Sequence, residues 1–203
     1  MLVEQIDPKA VRPPELLHFR APQSYSDARF IALKASICNT AGNVQPIKVR
    51  PAGDGLFTWV IGSLRWRACL ELGLPVLAVI DDLVSFPQAV IELDASNAEA
   101  SLLERGKLYA SALDAGLFPS NRRLAQAVAR DLSELVTAVD LARLPDSVLA
   151  CFDDPRTISL AAAKRLRTEF ARDPQRAVAR ATTHMSGGRA MRTAEAVRYF
   201  LRA

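Results

Sequence analysis

The sequence has little of what redox, metal and covalent chemistry require. Three cysteines, Cys38, Cys69 and Cys151, and two histidines, His18 and His184, are spread over 203 residues. An odd number of distant thiols argues against a disulfide framework or a zinc site and suits a reduced, cytoplasmic setting. Neither histidine has Ser/Asp or metal-spaced companions, so no hydrolytic triad can be assembled. Long apolar runs are missing too. The best, Leu74–Ile80, contains Pro75 and stops at Asp81-Asp82, far short of the roughly 18–20 residues of a membrane span. No basic segment precedes an apolar stretch at the N-terminus, which excludes a readable signal peptide. Aromatics are scarce at 6%, and Trp59 and Trp66 stand alone, which suits packing better than base stacking.

What is present is apolar and unevenly charged. Half the residues are hydrophobic, enough for a packed core and against general disorder. The net charge of +4 hides a division: residues 1–121 hold 11 basic and 13 acidic side chains, residues 122–203 hold 15 and 9. From Arg156 onward the ratio is 11 to 3. Such asymmetry is expected where one half meets a polyanion, although a solvated arginine-rich surface has the same composition.

The front half reads as mixed α and β. Pro8, Pro13 and Pro14 leave room only for short extended pieces. Phe30, Leu33, Ile37 and Cys38 recur at helical spacing behind a Ser26 or Asp27 cap. Pro46–Arg50 and Leu56–Ile61 form a hairpin around Pro51-Ala-Gly-Asp-Gly55. A helix opens at Gly62-Ser63 and stops at Gly73, and Leu74–Ile80 is a third strand. After about Glu92 only helices are expected: 99–115, one capped by Ser120, one capped by Asp131 and stopped by Leu144-Pro145, then 146–152, 157–170, 174–183 and 193–202. Strands first and helices afterwards make an α+β chain of two domains, 1–95 and 96–203.

Three segments carry chemistry. Gly42-Asn43-Val44-Gln45-Pro46-Ile47-Lys48-Val49-Arg50-Pro51 runs from a helix end into a strand. Gly62-Ser63-Leu64-Arg65-Trp66-Arg67-Ala68 starts a helix with arginines. Arg123-Leu124-Ala125 through Leu141-Ala142-Arg143-Leu144-Pro145 has the spacing of a helix-turn-helix over 121–145. Gly62 permits close backbone approach, the following amides lie at the positive end of a helix, and arginines suit phosphate. Arg65 and Arg67, two apart, do not share a face. Gln45 could bond a base or ribose. The same pattern also describes an ordinary capped helix with solvent-facing arginines.

In this order and spacing the segments resemble the ParB family of plasmid and chromosome partition proteins. Leu144-Pro145 followed by Phe152-Asp-Asp-Pro155 is similar to the SopB-like plasmid branch. The resemblance implies a ParB/sulfiredoxin-like N-terminal domain followed by an all-helical domain with the helix-turn-helix. It implies a nucleotide site for CTP at Gln45, Gly62, Ser63, Arg65 and Arg67, and double-stranded DNA as a partner. It also brings a ParA-type ATPase, a full-length ParB or a second copy as protein partners. The usual ends of the family are not visible, so a short form is expected. Ser63 and Leu64 depart from the family's Gly-Glu-Arg-Arg-x-Arg-Ala, and a lost charge-assisted contact is worth about 1.5–3 kcal/mol. That argues against CTP hydrolysis.

Glu92, Asp94 and Glu99 are the acids that would hold Mg²⁺, and a ParB-fold nuclease or NTPase is the enzymatic alternative. A regulatory protein acting through protein partners is a third reading. For DNA, Arg122, Arg123, Arg130, Arg143, Lys164 and Arg165 (with Arg167) suit phosphate contacts, while Leu132, Ser133, Val136 and Thr137 would face the groove. Ala129, where glycine is common, predicts a looser turn. A single helical hairpin without DNA is the competing reading. Cys69 beside Arg67 is the one thiol whose pKa a neighbouring charge could lower.

Overall fold

In a computed structural model that describes residues 2–14, 22–97 and 99–201, the chain divides into two units, Met1–Ala98 and Glu99–Ala203. His18 lies outside the described residues. The first unit is built on a five-stranded sheet in the order β1-β5-β3-β4-β2. Its strands are β1 (Leu2–Ile6), β2 (Val11–Arg12), β3 (Ile47–Gly53), β4 (Leu56–Ile61) and β5 (Val76–Ile80). β3 lies centrally, parallel to β5 with Ile47 opposite Ala78 and antiparallel to β4. Asp54 and Gly55, at φ +50° and +72°, make the hairpin turn, the left-handed pair that matches strand twist.

Three helices belong to this unit: α1 (Ala28–Asn39), α2 (Ser63–Leu72) and α3 (Phe86–Ser96). Asp27 caps α1 by accepting from the Phe30 amide at 2.9 Å. α3 is absent from the sequence-based expectation and carries a proline, Pro87. It sits in the first turn behind the Ser85 cap, where a missing N–H costs nothing. Phe30, Val49, Val60, Trp66, Ala68, Val76 and Val90 fill the core. Trp66 spends its indole N–H on the Pro8 carbonyl at 2.9 Å, tying the N-terminal segment to α2.

The described residues of the second unit are helical apart from turns and one isolated bridge. Its helices are α4 (Leu102–Asp114), α5 (Asn121–Ala127), α6 (Leu132–Ala142), α7 (Asp146–Leu149), α8 (Leu160–Arg172), α9 (Pro174–Gly187) and α10 (Thr193–Leu201). Ser101 and Glu104 close a capping box on α4, and Asp173 ends α8 while capping α9. Leu103, Leu141, Val148, Ile158, Leu166 and Phe170 make one core with Met191, Val197 and Phe200. The apolar face of α10 is therefore used inside the fold. Its Phe200 ring stacks 6.0 Å from Phe152.

α4 and α6 cross at Gly106. A β-carbon there would lie 2.0 Å from the Ala138 carbonyl oxygen and 3.1 Å from Ala142 Cβ. Alanine is normally the better helix former by about 1 kcal/mol, but here the backbone of α6 occupies the space. Gly106→Ala should therefore destabilise the helical unit by about 3 kcal/mol, read by urea unfolding followed by far-UV circular dichroism. A stabilised variant would show that the helices can separate at no cost.

Candidate functional site

The turn from β4 into α2 is made by Gly62 in the left-handed region, at φ +97°. A β-carbon there would meet Ile47 Cγ2 at 2.7 Å. Gly62 also offers no side-chain cap, so no cap side chain takes the opening amides of α2, and the positive end of a helix favours anions. Ser63 is buried directly behind the turn.

The two arginines of α2 diverge as their spacing requires. Arg65 turns to the loop before β3, where Nη1 donates to the carbonyls of Gln45 and Pro46, both at 2.9 Å. Burial lowers its pKa. Arg67 turns toward α1: Nε donates to Glu71 at 2.7 Å, and the guanidinium lies 5.8 Å from the Tyr25 ring centroid. Lys34 reaches Glu71 at 2.7 Å as well, and hydrogen bonds from Lys34 and Arg67 hold the Glu71 carboxyl below its ordinary range. Of the proposed phosphate residues, the structure thus groups Gly62, Ser63 and Arg65 with the Gln45 loop, while Arg67 serves an ion pair. Gln45 itself is exposed.

Sequence reasoning passed over two residues here. Asn43, read only as part of a turn, is buried and bonded to the backbone of β5. Lys48, read only as part of the Pro46–Arg50 strand, is held by Glu92 at 2.8 Å and Asp81 at 3.3 Å. Burial works against its ammonium, yet the two carboxylates outweigh burial and raise the Lys48 pKa.

This changes the reading of the acids. Glu92 is neutralised by Lys48, Asp94 is buried within α3, and Glu99 is an exposed residue of the second unit. Among the described residues no three His, Cys, Asp or Glu side chains are grouped to hold a metal ion. Cys69 is corrected also. It is fully buried, and burial raises its pKa despite a hydrogen bond from the thiol to Asn43.

In the helical unit, α5 and α6 are joined by Ala129 at φ +52°, with the Arg130 amide bonded to the Ala125 carbonyl at 3.0 Å. The turn is as tight as a glycine would make it, held in a conformation that costs alanine roughly 1–2 kcal/mol. On α6, Ser133 is exposed and Leu132 partly so. Thr137 is fully buried and donates to the Ser133 carbonyl at 2.7 Å, so it does not face a groove. Arg122, Arg123, Lys164 and Arg165 are exposed. Arg130 is half-buried, Arg143 pairs with Asp114, and Arg167 with Asp140 at 3.1 Å. The unit holds 17 basic and 12 acidic residues, against 9 and 10 in the first.

The family model of the ParB N-terminal domain matches residues 2–97. Those residues belong to the ParB N-terminal domain family. The "Probable chromosome 1-partitioning protein ParB" of Deinococcus radiodurans is 32% identical over 152 residues, 73% of this chain and 51% of that protein. The chromosome-partitioning protein Spo0J of Thermus thermophilus is 33% identical over 116 residues, 55% of this chain and 42% of its own length. The chain spans about half the length of these curated relatives. They do not single out the SopB-like branch. The structure of a C-terminally truncated chromosome-partitioning protein ParB from Caulobacter crescentus, complexed to the centromeric parS site, aligns with TM-score 0.50 and 22% identity. It covers 98% of this chain and 96% of that one. The α+β ParB fold, a sheet domain followed by helices, is thereby established. No helix is long and apolar enough to cross a membrane among the described residues.

Within the ParB domain, Lys48 lies between the carboxylates of Asp81 and Glu92. Lys48→Met should cost about 1 kcal/mol at pH 7, as expected for a partly exposed ion pair. Because the folded-state pKa is raised above the ordinary 10.5, this contribution is complete below that value and is lost as pH rises through the folded value. The stability gap between wild type and variant, read from tryptophan fluorescence in urea, should narrow above pH 10.5. Trp59 and Trp66 both lie in the ParB domain and report on it.

Proposed function

We propose that this chain is a DNA-binding partition protein of the ParB type whose ParB domain responds to CTP. The observation that carries the DNA part is the capped α5–α6 pair, closed by left-handed Ala129, with Arg122, Arg123 and Ser133 exposed on the more basic unit. Arg130, Arg143, Lys164 and Arg165 extend the candidate phosphate contacts. These contacts position a duplex, and Ser133 with Leu132 would be nearest its base edges. No arginine or asparagine at the start of α6 offers a bidentate base reader. Salt-sensitive binding is therefore expected to exceed sequence discrimination.

The nucleotide part is supported by the cradle at Gly62. A left-handed Gly62 packed on Ile47, a start of α2 with no side-chain cap and the Arg65-held loop at Gln45 support a triphosphate beside a base. In this reading Gln45, Gly62 and Ser63 would meet CTP, with Arg65 holding the Gln45 loop and Arg67 supporting α2 through Glu71. The Caulobacter relative's complex with parS DNA lends the duplex as ligand class. A ParA-type ATPase, a full-length ParB and a second copy are the protein partners in this reading, and they come from the resemblance alone.

Two variants separate the halves. Gly62→Ala should weaken CTP binding at least tenfold and leave duplex binding at low salt unchanged. Replacing both Arg122 and Arg123 by glutamine should do the reverse. It should also reduce the slope of log affinity against log salt by about two, one for each lost phosphate contact. Fluorescent CTP titration and duplex anisotropy between about 50 and 200 mM salt read both. A chain that binds no duplex at low salt would overturn the proposal.

A further inference from the structure

Asn43 stands between Gly42 and the start of β3, and its carboxamide is buried, with 5% of the residue exposed. The Leu77 amide donates to Oδ1 at 2.8 Å, and Nδ2 donates to the Leu77 carbonyl at 2.9 Å. One side chain thus satisfies both main-chain groups of Leu77. β3 begins to pair with β5 at Ile47 opposite Ala78, so the carboxamide takes up the groups of β5 one residue before that pairing starts. Nδ2 also donates to the Gln45 carbonyl at 2.9 Å. That same carbonyl accepts from Arg65. Oδ1 further accepts from the Cys69 thiol at 3.6 Å.

Only a carboxamide can donate twice and accept twice in this way. The surrounding loop needs such a restraint. Ala41 takes φ +51° without being glycine, and Thr40 Oγ1 donates to the Gly42 carbonyl at 2.6 Å. A strained segment persists where its surroundings over-determine it. With Asn43 anchored inward, Val44 and Gln45 are left exposed, and the Gln45 carbonyl is fixed from two sides.

We infer that Asn43 is a positioning residue for nucleotide recognition: it docks the loop on β5 and sets Gln45 for the base of a bound CTP, while Gly62 and the α2 amides take the phosphates. The inference rests on the nucleotide reading above and adds that base recognition depends on a side chain that does not itself touch the ligand. The alternative is that Asn43 only stabilises the fold.

The test uses the whole chain with Asn43→Leu, which fills similar volume without hydrogen bonds, and Asn43→Asp, which can accept from the Leu77 amide but cannot donate to the Leu77 or Gln45 carbonyls. Three quantities are measured: exchange of the Leu77 amide, binding of fluorescent CTP and binding of inorganic tripolyphosphate. Asn43→Leu removes all four hydrogen bonds and Asn43→Asp the two donated by Nδ2; both lose the bond to the Gln45 carbonyl, which predicts about tenfold weaker CTP binding, with tripolyphosphate affinity unchanged. Leu77 exchange should quicken about tenfold in Asn43→Leu and stay slow in Asn43→Asp. Wild-type CTP affinity in Asn43→Asp, or equal losses for CTP and tripolyphosphate, would overturn the inference. If the wild-type chain itself binds neither ligand, the nucleotide reading fails first, and the Leu77 exchange still reports whether the loop is held.

Discussion

The turn into α2 can be made only without a side chain, because Ile47 at the start of the central strand already occupies the place of a β-carbon at position 62. Much of the ParB domain follows from that contact. It brings the start of α2 close to the start of β3, so Arg65 can reach the carbonyls of Gln45 and Pro46 from across the turn. It leaves the helix without a side-chain cap, so its first amides remain available to an anion. One turn further, Trp66 fastens the Pro8 segment to the same helix. The uncapped start of α2 and the hold on its neighbours thus arise from a single steric constraint.

The helical unit has a matching constraint at Gly106, where α6 passes too close for any side chain. The left-handed Ala129 is a local cost, and the packed α4–α6 pair together with the Asp131 cap supplies the structure that offsets it. At the C-terminal end of the unit, Phe200 completes the aromatic cluster with Phe152 and Phe170. α10 is thus an internal layer of the core.

Charge is used differently in the two units. In the ParB domain several basic residues are committed within the fold: Lys34 and Arg67 to Glu71, Lys48 to Asp81 and Glu92, Arg65 to backbone carbonyls. In the helical unit Arg122, Arg123, Lys164 and Arg165 remain exposed. Composition alone puts the excess of arginine in the back half, but it does not distinguish a spent cation from an available one. That distinction depends on which acid or carbonyl the fold brings within about 4 Å.

The sequence by itself determined the elements with strong local signals. Asp27, Ser120 and Asp131 cap the helices they precede, Asp54-Gly55 turns the hairpin, and Gly73 stops α2. Such features are set within a few residues, by side-chain oxygens meeting nearby amides or by backbone that accepts positive φ. Helix α3 was not among the expected elements; its Pro87 falls in the first turn, where it starts a helix rather than breaking one. Tertiary structure alone decided that Thr137 turns inward, that Glu92 meets Lys48 44 residues away, and that Asn43 pairs with a strand 34 residues on. The physical reason is the same in each case: a polar side chain takes its role from the partner that burial forces it to find, and that partner is distant in the chain.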